Sequence, residues 1–105
     1  MCRILLTRST SPFVIGDELQ PFSELSRNSR EYQGHGWGCS WLDENDQWQH
    51  YHNIKPVWED DLSRFSKSSA QTRLLLVHAR SAFRDEGIAV ENNMPFTDGL
   101  SLIHI

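Results

Sequence analysis

Residues 2–7 (Cys-Arg-Ile-Leu-Leu-Thr) form a short apolar run broken only by Arg3, which predicts a strand at the start of the chain. Ser9-Thr10-Ser11-Pro12 reads as a break, and 13–15 as a further short strand closed by Gly16. Leu19, Phe22 and Leu25 then recur at helical spacing, predicting a helix over 17–26 with Pro21 in its first turn. Residues 28–35 are polar and read as a loop. Residues 36–42 and 48–52 predict the two strands of a hairpin around the turn 43–46 (Asp-Glu-Asn-Asp). Residues 54–58 read as extended, 60–65 as a short helix and 66–72 as a polar connection. The unbroken apolar run 74–77 predicts a strand buried on both faces. After a turn at 84–87 and a loop at 91–98, residues 100–105 predict a last strand, and the chain stops inside it. That ending predicts a domain cut short, with 1–105 as its N-terminal part.

Composition narrows the function classes. The chain has 105 residues, 38% apolar and 23% charged, the balance of a globular domain. Its net charge of −4 offers no basic field for a phosphate backbone, so nucleic acid is not an expected partner. No window approaches the ~18–20 apolar residues of a membrane span, and no signal-peptide pattern is present. Two cysteines, Cys2 and Cys39, are too few for a disulfide framework, so a reducing cytoplasm is the expected compartment.

Four segments carry residue types suited to chemistry. Met1 is removable when a small residue such as Cys2 follows it. The product holds a thiol and a free α-amino group on one residue. An α-amine titrates near ~8, so it is a usable base for the thiol proton at neutral pH. The ordinary alternative is a small buried residue that begins a strand. His78-Ala79-Arg80 ends the most apolar strand, where the Arg80 guanidinium suits a carboxylate. Gly34-His35-Gly36-Trp37-Gly38 permits close backbone approach, yet no helix pattern follows it as a phosphate-binding fingerprint requires. Glu91-Asn92-Asn93-Met94-Pro95-Phe96 is rich in turn formers. Each segment alone has a plain structural explanation.

In this order the segments resemble the class II glutamine amidotransferases. That family begins Met-Cys, carries Gly-Trp-Gly or Gly-Phe-Gly after a variable loop, ends a buried strand in His-x-Arg and follows it with Glu-Asn-x-His-Pro-Phe. The matching residues here are Met1-Cys2, Gly36-Trp37-Gly38, His78-Ala79-Arg80, and Asn92 with Pro95-Phe96. The resemblance implies an α+β N-terminal nucleophile (Ntn) hydrolase fold, a four-layer αββα sandwich of two antiparallel sheets, incomplete in this chain. It implies Cys2 as nucleophile with its own amine as base, and Arg80 as the clamp for the substrate α-carboxylate. Gly36, Trp37 and Gly38 lie near the nucleophile, and His78 and Asn92 support the site. The implied reaction is hydrolysis of the glutamine side-chain amide, or a related γ-glutamyl amide, with no cofactor and no metal.

The chain departs from the family at several points. Met94 stands where His is usual, and His35 where an acidic or polar residue is common. The family's next strand ends in His-Asn-Gly, whose Asn and Gly form the oxyanion hole. Here Leu102-Ile103-His104 matches, but Ile105 occupies the Asn position. Losing one oxyanion donor typically costs ~10²–10³ in rate, so the 105-residue chain alone is expected to be inactive.

Two rival readings predict different geometry. His50 and His52 share a strand face, and with Cys39 on the paired strand they suggest a Zn²⁺ site. Trp37, Trp41, Trp48 and Trp58 suggest a protein interface in an inactive or regulatory remnant of the same fold.

Overall fold

A computed structural model of the chain describes residues 3–29, 34–81, 96–97 and 102–103. Strands β1 (Arg3–Val14), β2 (Trp37–Leu42), β3 (Trp48–Asn53) and β4 (Gln71–Ala79) form one antiparallel sheet in the order β1-β4-β2-β3. Helix α1 (Ile15–Arg27) follows β1 directly. Strands β5 (Phe96–Thr97) and β6 (Leu102–Ile103) form a separate two-stranded ladder. The described residues thus make a small α+β domain.

Cross-strand partners in an antiparallel sheet share a face, and faces alternate along each strand. The register therefore sorts the sheet into rows. Arg3, Ala79, Trp37 and Asn53 form one row across all four strands, and Leu5, Val77, Cys39 and Tyr51 form another on the same face. Helix α1 covers this face with Ile15, Leu19 and Phe22, joined by Val57, Leu62 and Phe65 from the β3–β4 connection. The intervening rows, Ile4-His78-Gly38-His52 and Leu6-Leu76-Ser40-His50, lie on the opposite face. There Ile4 is 47% exposed and Leu6 65% exposed, while Leu74 and Leu76 are half-buried. The apolar run at 74–77 fits a strand with two covered faces, but only the helix side is fully covered among the described residues.

Several boundaries differ from the sequence reading. Ser9–Pro12 does not end β1, because β4 pairs on both sides of it. Arg8 lies opposite Leu74 and Phe13 opposite Thr72, so the extra β1 residues form an irregularity in the ladder. Helix α1 starts at Ile15, and Pro21 lies in its interior on an exposed side, where water can take the carbonyl that proline leaves unpaired. Asp17 and Glu18 sit in the first turn, suited to the positive end of the helix dipole. The expected helix over 60–65 is reduced to a 3-10 turn at Ser63–Phe65, and a second such turn spans Val57–Glu59. The 43–46 turn is held by the Asp43 carboxylate, which accepts from the backbone N–H of Asn45 and Gln47 and from the Gln49 side chain. These bonds hold its carboxyl below the usual range.

Gly16 marks the tightest approach of α1 to the β3–β4 connection. A Cβ there would lie 2.9 Å from the Phe65 carbonyl oxygen and 2.9 Å from Ser66 Cα. Backbone atoms cannot swing aside as a side-chain tip does. Gly16→Ala is therefore expected to destabilise the fold by about 1–3 kcal/mol despite alanine's better helix propensity. Urea unfolding checks this, and an unchanged or raised midpoint would contradict the close packing.

Candidate functional site

Two of the sequence segments meet at one end of the sheet, beside the first residue of β1. Arg3, the residue after Cys2, pairs with Ala79, and Ala79 pairs with Trp37. The pairing of β2 with β4 continues beyond the strand ends. The Arg80 N–H donates to the Gly36 carbonyl at 2.8 Å, and the His35 N–H donates to the Arg80 carbonyl at 3.0 Å. Both backbone groups of Arg80 are thus held by the glycine-rich segment. Gly36 has φ 111°, a conformation that favours glycine, so the chain turns here from the loop into β2. Gly34, Gly36 and Gly38 are all buried, and Arg80 is half-buried.

His78 is buried and lies one row in from Arg80, with Gly38 opposite it and His52 beyond. Glycine at 38 leaves no side chain between the two histidine positions on that face. Trp37 projects the other way. It is fully buried, and its ring lies 5.3 Å from Tyr51 and 6.2 Å from Phe65 between centroids. Of the expected site residues, Gly36, Trp37, Gly38, His78 and Arg80 are therefore neighbours at one sheet end. Cys2 and Asn92 lie outside the described residues.

One residue at this end carried no signal in the sequence. Asp60, half-buried in the β3–β4 connection, accepts three side-chain hydrogen bonds on Oδ2: from Trp37 Nε1 at 2.9 Å, Tyr51 OH at 2.7 Å and Asn53 Nδ2 at 3.1 Å. Its Oδ1 accepts from the Asp61 N–H at 2.8 Å. In the sequence it is one of three consecutive acids after Trp58, indistinguishable from a solvated turn. Burial and the bond to Asp60 push the Tyr51 phenol above its ordinary value.

The rival geometries fare differently. Cys39 lies opposite Tyr51 on the helix-covered face, whereas His50 and His52 lie on the other, so the sheet itself separates Cys39 from the two histidines. Among the described residues no group of three His, Cys, Asp or Glu side chains is arranged to hold a metal ion. Burial also pushes the Cys39 thiol far up, away from the thiolate that metals bind. Trp37 is core, and Trp41 and Trp58 pack against the core, which removes most of the expected aromatic interface. Ser40 Oγ and His50 Nδ1 share a 2.7 Å hydrogen bond, and burial with the nearby His52 lowers the His50 pKa. Ser40 is fully buried, so its hydroxyl is closed to a substrate.

A groove of about 860 Å³ lies at the opposite end of the sheet between the 43–46 turn and the start of β4. It contains none of the motif residues. Among the described residues, no helix is long and apolar enough to cross a membrane. No protein-family model matches the chain, and no curated protein matches it.

Proposed function

We propose that the protein is a class II glutamine amidotransferase or γ-glutamyl amide hydrolase, with Cys2 as nucleophile. The observation that supports this best is the convergence of Arg3, Gly36-Trp37-Gly38 and His78-Ala79-Arg80 at one end of one sheet. These segments are far apart in the chain, and nothing in an ordinary α+β domain requires them to meet. The register sets Arg3, the residue after Cys2, opposite Ala79, the residue before Arg80. Gly36 lies beside Arg80 just before β2, and its carbonyl accepts from the Arg80 N–H.

The chemistry then follows from the residue types. The Cys2 α-amine takes the thiol proton, directly or through a water, and the thiolate attacks the side-chain amide carbon. The tetrahedral intermediate collapses as the C–N bond breaks, and the ammonium proton passes to the leaving nitrogen, which departs as ammonia. Water, deprotonated by the same amine, cleaves the thioester to give glutamate and the free thiol. Arg80 holds the substrate α-carboxylate through paired hydrogen bonds, its backbone fixed on both sides by residues 35 and 36. A buried sheet end is a rigid mount for such a clamp.

The exposed part of the sheet face away from α1 supports the finer fold assignment. Ile4, Leu6, Leu74 and Leu76 present an apolar surface on the side away from α1. Fully covering an exposed side chain of this kind is worth about 1.5–3 kcal/mol, and these partly buried ones correspondingly less. A second antiparallel sheet stacked there completes the layers of an Ntn-hydrolase sandwich, with the site at the edge between sheets.

The test is ammonia release from L-glutamine by protein expressed from its full reading frame. Arg80→Lys keeps the charge and loses the fork, so KM is expected to rise about 10–100-fold with a smaller change in kcat. No ammonia release from glutamine or from simple γ-glutamyl amides would remove the proposal.

A further inference from the structure

We infer that Asp60 is a positioning residue for Arg80, acting through Trp37 and Gly36; the inference rests on the amidotransferase reading of the site. Asp60 itself comes from the β3–β4 connection, while its three side-chain donors come from two adjacent strands. Trp37 and Asn53 face each other in the terminal row of the sheet, and Tyr51 lies two residues along β3 from Asn53. A single carboxylate oxygen gathers all three, at 2.7–3.1 Å. Bonds to a charged acceptor are about twice as strong as neutral ones, so this junction is stiff.

The stiffness matters because of what comes next in the chain. Gly36 has positive φ, and the chain changes direction there between the loop and β2. On one side of it, Trp37 is pinned through its indole to Asp60. On the other, His35 and Gly36 grip the backbone of Arg80. Fixing Trp37 fixes the direction in which the chain leaves Gly36, and so the seat of Arg80. The Asp60 carboxylate lies on the helix-covered side and has no need to touch substrate. Its effect is expected on the affinity for a substrate bearing an α-carboxylate rather than on the chemistry at the thiol.

Steady-state glutamine hydrolysis by the full-length protein tests this, with Asp60→Ala, Asp60→Asn, Trp37→Phe and the Asp60→Ala/Trp37→Phe double variant. Asp60→Ala is expected to raise KM about tenfold while kcat stays within about twofold. Asp60→Asn keeps an acceptor oxygen and is expected to recover most of that loss. Trp37→Phe removes only the indole donor and should raise KM in the same direction. The double variant should be no worse than Asp60→Ala, because the two changes break the same link. Alkylation of Cys2 by iodoacetamide, which carries no carboxylate for Arg80, should proceed at the unmodified rate in every variant. If Asp60→Ala fails to fold, Trp37→Phe and Asp60→Asn carry the same comparison. A kcat loss with KM unmoved, additive effects in the double variant, or alkylation slowing in step would overturn the role of Asp60 and leave the site reading intact. Absence of hydrolysis by the unmodified protein would overturn the site reading and this inference together.

Discussion

Cys2→Ala is expected to abolish ammonia release, lowering kcat by at least about a thousandfold. The whole proposed reaction passes through one sulfur atom, and alanine supplies no nucleophile in its place. Blocking removal of Met1 should have a similar effect by another route. The Cys2 nitrogen would then be an amide, which takes no proton near neutral pH, and the thiol would lose its base. Cys39→Ala separates this prediction from a general cysteine effect. Cys39 sits in the core on the helix-covered face, and burial holds its thiol protonated. Its loss should leave hydrolysis in place while costing some stability. Initial rates of ammonia release with glutamine in excess make the measurement. Activity of Cys2→Ala within about tenfold of the unmodified protein would remove Cys2 from the mechanism.

Trp37→Ala should cost about 3–5 kcal/mol of folding stability, the largest effect expected from a single core substitution here. The side chain is fully buried, packs edge-on against Phe65 and tilted against Tyr51, and donates its indole N–H to Asp60. Alanine leaves a cavity at the junction of β2, β3 and the β3–β4 connection. It also strips one donor from Asp60. Small domains are stable by only about 5–15 kcal/mol, so a loss of this size takes much of the margin. Chemical denaturation followed by tyrosine fluorescence or circular dichroism reads it out. A cost below about 1.5 kcal/mol would mean that the tryptophan is not the packing centre that its burial indicates.

Hydrophobic patterning located the strands and the helix because each has one apolar face turned to a common core. Leu19 and Phe22 set the helix, and the run at 74–77 marked the strand that became the centre of the sheet. Patterning failed where pairing with a distant strand overrode local signals. Ser9–Pro12 carries every mark of a break, yet β4 supplies partners on both sides and the strand runs through it. The partial exposure of the second face was hidden for a related reason. Ile4, Leu6, Leu74 and Leu76 are as apolar as their neighbours on the covered face, and apolarity says that a surface is to be buried, not what buries it. At the candidate site, the motif order singled out Gly36, Trp37, Gly38, His78 and Arg80, and the register makes neighbours of them. Asp60 was not legible, because its side-chain donors lie 7 to 23 residues away. Cys39 with His50 and His52 was misleading. Alternation along β2 and β3 sets them on opposite faces, which depends on a register that spacing alone does not reveal.

The order β1-β4-β2-β3 also has a consequence in time. β1 leaves the ribosome before the other strands of this sheet, but among the described residues its only partner there is β4, which ends at Ala79. At about 5–20 residues per second, the chain needs roughly 4–15 s to be extended that far. Throughout that interval the β2–β3 hairpin can zip locally, while the first strand has nothing to pair with. Of the four strands of this sheet, the one synthesised before the others is thus among the last to be fixed.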